Sequence, residues 1–333
     1  MKKTKAKSKK NKKKKKSGLG STIALVVIFL IGLCVLLYPS VSNFINEKRQ
    51  SQAIINYDSL LQDLTPEDLS EYFRQADEYN TMLKRISMPF LGYSEFSDEY
   101  NSILDVNGDG MMGYITIEKI KVQLPIYHGT SDKVLNSAVG HLEGSSLPVG
   151  GESTHSVLSA HRGLPSAKLF TDLDKLSVGD IFTITVLDRT MTYQVDQIRI
   201  VLPNELNDLY VVNGEDYCTL TTCTPYGINT HRMLVRGTRI ENIEGAQKIY
   251  VATEAYQIDP FIVTPAVAVI ILLILLVFLL VKSSKEKKKN RALAAEKNKN
   301  KENQEKEETP EETVEEQQKD KKKKKKEKER RQK

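Results

Sequence analysis

Two residues between Asp216 and Gly237 could do covalent chemistry together: Cys223 and, nine residues on, Arg232. An ionised thiol is a nucleophile, and a cation beside it favours the thiolate and stabilises developing negative charge. Thr219, Leu220, Thr221 and Thr222 are strand formers, Pro225 and Gly227 punctuate a loop, and Met233, Leu234 and Val235 restart an apolar strand. Cys223 therefore ends one strand and Arg232 lies in the strand that returns beside it. A buried Cys and a surface Arg would satisfy the same pattern, and the pair alone does not decide between the two readings. His161 is a third group of interest. It follows the short strand Val157-Leu-Ser-Ala160 and precedes Arg162-Gly163, so it sits at a strand end beside a turn. An imidazole there suits general acid–base work. A strand-end His and a strand-end Cys can meet at one rim of a barrel. His128, followed by Gly129, is expected to border the same site, and Thr222 to lie near a substrate.

Other chemistries find little support. The five histidines, His128, His141, His155, His161 and His231, show neither His-Glu-x-x-His nor Cys–His zinc spacing, so no metal is expected. Asp105-Val-Asn-Gly-Asp-Gly110 matches the first half of a calcium loop. The twelfth position is Thr116, which cannot supply a bidentate carboxylate, and a turn is the better reading. No nucleophile elbow, Walker loop or dinucleotide fingerprint is present, and no cofactor is expected. Three cysteines are too few for a disulfide framework. Cys34 lies in an apolar run. Cys218 and Cys223 are five apart on one strand and so point to opposite faces.

The elements that must hold these groups are mainly β. From Gly113 the apolar period is two, through Tyr114 to Ile126, Val157 to Ala160, Ile181 to Leu187, Met191 to Leu202 and the final pair. Short helices are expected over Ser131–Val139 and Ala167–Leu176. Seven or eight short strands with helical insertions predict a closed β-barrel. Residues 41–86 read as helical, with Thr65 as cap and Pro66 at the first position.

The net charge of +6 hides three unlike parts. Residues 1–20 carry 11 Lys and no acid, and residues 40–260 carry 17 Lys and Arg against 30 Asp and Glu. Residues 282–333 carry 21 against 13. Basic ends without interleaved aromatics point to a membrane surface rather than nucleic acid. Apolar runs at 21–39 and 261–281, each flanked by lysines, predict two membrane spans with both termini cytoplasmic and residues 40–260 outside. No clear Ala-x-Ala site follows the first run, which favours a retained anchor over a cleaved signal. The expected order is a basic segment (1–20), a span (21–39), a helical and lid region (40–112), a catalytic barrel (113–245), a linker (246–260), a second span (261–281) and a charged tail (282–333).

Thr219-Leu220-Thr221-Thr222-Cys223, with Arg232 and His161, resembles the signature of the sortases, cysteine transpeptidases of Gram-positive cell surfaces. The likeness runs from about Gly113 to Ile240 and includes Leu124-Pro-Ile-Tyr-His-Gly-Thr130, Gly140-His-Leu-Glu-Gly144 and Ser159-Ala-His-Arg-Gly163. The loop and strand from Thr224 to Arg232, the N-terminal helical region and the C-terminal span are most similar to class C, the pilin-polymerising sortases. The resemblance implies a sortase-type eight-stranded barrel. It implies that Cys223 attacks the Thr–Gly carbonyl of a Leu-Pro-x-Thr-Gly (LPXTG) type sorting signal, that His161 moves the protons, and that Arg232 holds substrate or oxyanion. Partners would be pilins or other surface proteins bearing such signals, and an acceptor amine from a pilin lysine or from peptidoglycan.

Class C sortases commonly carry a lid in which Asp-Pro precedes an aromatic. Here Pro89 and Phe90 fit that pattern, but Met88 stands where the Asp would be. A lid salt bridge to Arg232 is therefore not expected, and Phe90 is expected to cover Cys223 by apolar contact. Two other functions fit the same features less well: a housekeeping sortase that anchors proteins to peptidoglycan, and a non-catalytic surface scaffold. A papain-like protease is disfavoured because there Cys precedes His.

Overall fold

The structure, a computed structural model, describes residues 19–85, 90, 97–242, 260–307 and 321–322. The chain divides into two units, residues 28–262 and residues 1–27 with 263–333. The first is built on eight strands: β1 (Met111–Ile117), β2 (Val122–His128), β3 (Val139–His141), β4 (Thr154–Ser159), β5 (Ile181–Val186), β6 (Arg189–Val201), β7 (Asp216–Thr224) and β8 (His231–Ile240). They close into a barrel in the order β1-β2-β3-β4-β7-β8-β6-β5, as the alternating pattern predicts. The pairs β2/β3 and β4/β7 are parallel, and the other pairs are antiparallel.

Ile115, Ile126, Leu158, Ile184, Leu220 and Val235 fill the interior and are fully buried. Each contributes roughly 1.5–3 kcal/mol by leaving water. Cys218 is fully buried in this core, whereas Cys223 is half-exposed, so the two thiols do lie on opposite faces. Burial pushes the Cys218 thiol well above its ordinary pKa. Gly237 on β8 lies under the stacked rings of Phe182 and Tyr193. A Cβ there would come within 2.7 Å of the Phe182 ring, so only glycine fits.

β6 changes phase along its length. Met191, Tyr193 and Val195 face the core, and Val195 pairs with Gly237. The register then shifts, Gln197 pairs with Arg236, and from there the odd-numbered residues face outward. Asp196 is the extra residue of this bulge. Its carboxylate accepts from Arg236 Nε at 3.1 Å to each oxygen and from Nη2 at 2.5 Å.

Three helices precede the barrel: α1 (Leu19–Leu61), α2 (Pro66–Leu83) and α3 (Ser97–Ser102). The expected cap of α2 is a capping box: the Thr65 hydroxyl accepts from the Asp68 N–H at 3.2 Å, and Asp68 accepts from the Thr65 N–H at 3.0 Å. Polar side chains fasten these helices to the barrel. Tyr57 of α1 donates to Met112 O (2.8 Å) and accepts from the Leu187 N–H (2.9 Å). Asn80 of α2 accepts from the Leu147 N–H at 2.7 Å. The Tyr100 hydroxyl of α3 donates to His141 Nδ1 (2.9 Å) and accepts from the Gly129 N–H (3.0 Å).

Two expected helices are shorter than the periodicity implies. The first is α4 (Asp132–Leu135), because Val139 is taken into β3 opposite Ile126. Only the 3-10 turn Leu173–Lys175 forms in 167–176. There the backbone donors are taken elsewhere: Lys168 N–H donates to Asn43 Oδ1 (2.8 Å) and Phe170 N–H to His161 O (3.2 Å). Asp105 to Gly110 forms the expected turn, with Asp105 accepting from the Gly110 N–H and Asp109 from the Met111 N–H, each at 3.0 Å.

α1 runs on past Pro39 without a break, and Val26–Leu61 is long and apolar enough to cross a membrane. A final helix, α5 (Pro260–Glu307), contains the apolar stretch Val269–Phe278 and continues into the charged segment. The expected linker 246–260 lies outside the described residues except for residue 260.

Two buried histidines give the fold a pH signature. His141 Nε2–H donates to Ser146 O at 2.9 Å, and burial holds its pKa down at about 3. His155 Nδ1–H donates to Tyr210 O (3.0 Å) while Nε2 accepts from the Thr219 hydroxyl (2.7 Å), and burial lowers its pKa to about 4. Unfolded, each ring takes a proton near the ordinary histidine value of about 6.5, so the unfolded chain binds more protons below that pH. Their contribution is complete above about pH 6.5 and falls by up to ~1.4 kcal/mol per pH unit per ring as pH drops. Denaturant melts at pH 7 and pH 5 should show this loss, and His155→Gln, which keeps a donor and an acceptor, should flatten it; an equal slope in the variant would contradict the assignment.

Candidate active site

The parallel ladder between β4 and β7 brings the chemistry together. Ser159 pairs with Thr221, and the Ala160 N–H donates to Thr221 O at 3.2 Å. The next residues along these strands are His161 and, two past Thr221, Cys223. Across the β7/β8 hairpin, Cys223 pairs with Arg232. Side-chain alternation then puts His161, Cys223 and Arg232 on one face at one end of the sheet. That face is the outside of the barrel, since Leu158, Ala160, Leu220 and Met233 take the inside. All three residues are half-buried, open to solvent yet held by the fold. The Arg232 guanidinium donates to Asn229 O (3.3 Å) and His231 O (3.2 Å), and among the described residues it has no carboxylate partner.

Beside the three residues, part of the outer face is apolar. Val157 of β4, Leu234 of β8 and Val201 of β6 pack with Leu209, and Leu142, Leu206 and Phe90 close over them. Leu206 and Leu209 come from the segment between β6 and β7. The Phe90 ring lies 5.7 Å from that of Tyr210 in the same segment. Tyr210 in turn is tied to the floor through its carbonyl and His155. The result is a covered groove: its Val/Leu floor is buried beneath Leu142, Leu206, Leu209 and Phe90. Pro89 and Met88 lie outside the described residues.

Two expected site residues are elsewhere. His128 is on the inner face, packed edge-on against the Tyr100 ring, with its nitrogens 2.9 Å from Gly110 O and 2.8 Å from Ile103 O. The two carbonyls favour the doubly protonated ring and burial opposes it; burial is the larger effect and lowers its pKa. His128 thus ties the N-terminal segment to β2 and does not border the groove. Thr222 is buried too, and its hydroxyl donates to Ala160 O at 2.8 Å. It locks β7 to β4 rather than meeting a substrate. The groove walls had no reading from sequence, because alternation within one strand does not say which face a distant loop will cover.

The sortase-domain family model matches residues 115–240. The crystal structure of sortase C1 from Streptococcus agalactiae is 54% identical, with TM-score 0.56, and covers 58% of this chain and 100% of that one. A sortase C structure from Streptococcus pneumoniae, described as giving insight into catalysis and pilin substrate specificity, is 45% identical with TM-score 0.51 over 57% of this chain and 97% of that one. Sortase D of Bacillus subtilis (strain 168) is 29% identical over 131 residues, 38% of this chain, and the match spans 63% of that relative.

The geometry predicts a graded thiol reactivity. Iodoacetamide should modify half-exposed Cys223 in the native protein and spare Cys218 until denaturant is added, as read by peptide mass spectrometry.

Proposed function

This chain belongs to the sortase family, and from that premise we propose that it is a class C cysteine transpeptidase that polymerises pilins at a Gram-positive cell surface. The observation that carries the reading is the convergence of His161, Cys223 and Arg232 on one outer rim, at the end of an apolar groove. Once Phe90 lifts away, a floor of that kind suits an extended peptide with apolar side chains. The Cys223 thiolate attacks the Thr–Gly carbonyl of an LPXTG-like sorting signal, and the tetrahedral oxyanion forms beside Arg232. Collapse breaks the Thr–Gly C–N bond, with His161 giving a proton to the leaving glycine amine. An acceptor amine, in this reading a pilin lysine, then attacks the thioester. His161 takes its proton, an isopeptide bond forms and the thiol is released.

Support for the pilin acceptor comes from the class C neighbours, one of which is described by its pilin substrate specificity. In the same reading α1 anchors the enzyme in the membrane, a second span lies in residues 261–281, both termini are cytoplasmic and the barrel is outside. Phe90 serves as a lid without a salt bridge, held by the apolar cluster of the groove and by the Tyr210 ring.

Two experiments test this. Incubation with an LPXTG peptide should give a mass adduct on Cys223 that is absent in Cys223→Ala, while His161→Ala and Arg232→Ala lower transfer by on the order of 10²–10³; an adduct persisting in Cys223→Ala would sink the mechanism. Phe90→Ala should speed alkylation of Cys223 several-fold, and an unchanged rate would remove the lid.

A further inference from the structure

Arg162 follows His161 directly, and its side chain is only 10% exposed. Its Nη2 is paired with Asp174, in the turn Leu173–Lys175, whose carboxylate is 41% exposed. Its Nη1 reaches the Thr224 hydroxyl at 3.4 Å, and the guanidinium lies 6.0 Å from the centre of the Tyr226 ring. Its Nε is buried and, among the described residues, has no hydrogen-bond partner. A guanidinium held in this way costs more than an apolar side chain of the same size would, so its presence calls for a role.

The neighbours define that role. Arg162 carries the backbone immediately after His161, and Thr224 immediately follows Cys223. One planar cation therefore spans the two segments that bear the thiol and the imidazole, as a forked donor can and a point charge cannot. The surrounding chain is equally constrained. Gly163 sits at φ +76°, its N–H donates to the Thr171 hydroxyl at 3.1 Å, and a Cβ there would come within 2.9 Å of the Tyr226 ring. Phe170 N–H donates to His161 O. The loop thus fixes the segment bearing His161 from one side, and Arg162 joins it to the end of β7 from the other.

We propose that Arg162 is a positioning residue. Braced between Asp174 and Thr224, it sets the separation of His161 from Cys223, a task distinct from that of Arg232. The inference rests on the transpeptidase reading above. A loosened imidazole impairs proton transfer in the transition state while leaving peptide binding and the bare thiol as they were.

The test measures kcat and KM for transfer of a sorting-signal peptide to an amine, with Cys223 alkylation rate and Tm, on the full chain in detergent. Arg162→Lys keeps the charge and loses the fork; kcat should fall by ~10-fold while KM and alkylation stay within twofold. Asp174→Asn, at a carboxylate that is partly exposed, should give a smaller fall of the same kind, and carries the test alone if Arg162→Lys does not fold. A kcat within twofold of wild type in the folded variants, or a loss that appears in KM or Tm alone, overturns the proposal. A wild-type chain that forms no acyl-enzyme would instead overturn the transpeptidase reading.

Discussion

The rest of the structure depends on the direction of one strand pair. β4 and β7 run parallel, in register from Thr154 and Asp216 to Ser159 and Thr221. Parallel strands end at the same rim, so the residues that follow them, His161 and Cys223, emerge together. In an antiparallel pair they would leave by opposite ends. A parallel pair cannot be closed by a tight hairpin and needs a long crossover; here the crossover is β5, β6 and the segments around them. The hairpin from β7 to β8 then returns Arg232 beside Cys223 at no topological cost.

Because these groups lie on the outer face, the barrel interior holds none of the three, and the thiol it does contain, Cys218, is sealed from solvent. Its filling of Ile, Val, Leu and Phe can be optimised for packing alone. Polar groups inside the wall, such as His141 and the Thr222 hydroxyl, are saturated by fixed partners. The outer face has the opposite need. An apolar floor of Val157, Leu234 and Val201 must be covered, and Leu206 and Leu209 with Leu142 and Phe90 supply the cover. Stability and chemistry are thus divided between the two sides of a single sheet.

How much of this a sequence carries follows from which interactions are local. Alternation along 216–224 is enough to separate Cys218 from Cys223, and Thr65-Pro66 is enough to start α2, because each depends on neighbours in the chain. The pairing of Cys223 with Arg232 follows from a short hairpin. His128 misleads because a His–Gly at a strand end looks the same whether the ring faces a groove or Tyr100; only the closed barrel decides which. The apolar spacing of 167–176 misleads for a related reason. Leu169, Phe170 and Leu173 are buried, but Leu169 turns to a positive φ of 42° and the Phe170 N–H, which would open a helical ladder, goes to His161 O, while Asn43, far away in sequence, holds the Lys168 N–H. Arg162 carries no local signal at all, since its partners lie 12 and 62 residues away.

The bulge at Asp196 deserves a different description: it is a phase shifter. Before it, the odd-numbered residues of β6 belong to the barrel filling; after it, odd-numbered Val201 belongs to the groove. The two halves of one strand are therefore free to change under separate constraints. Loss of Asp196 would join the two halves in one uniform alternation with every facing kept; flattening the bulge with Asp196 retained would instead turn Val201 inward and put a charged Arg199 against the core.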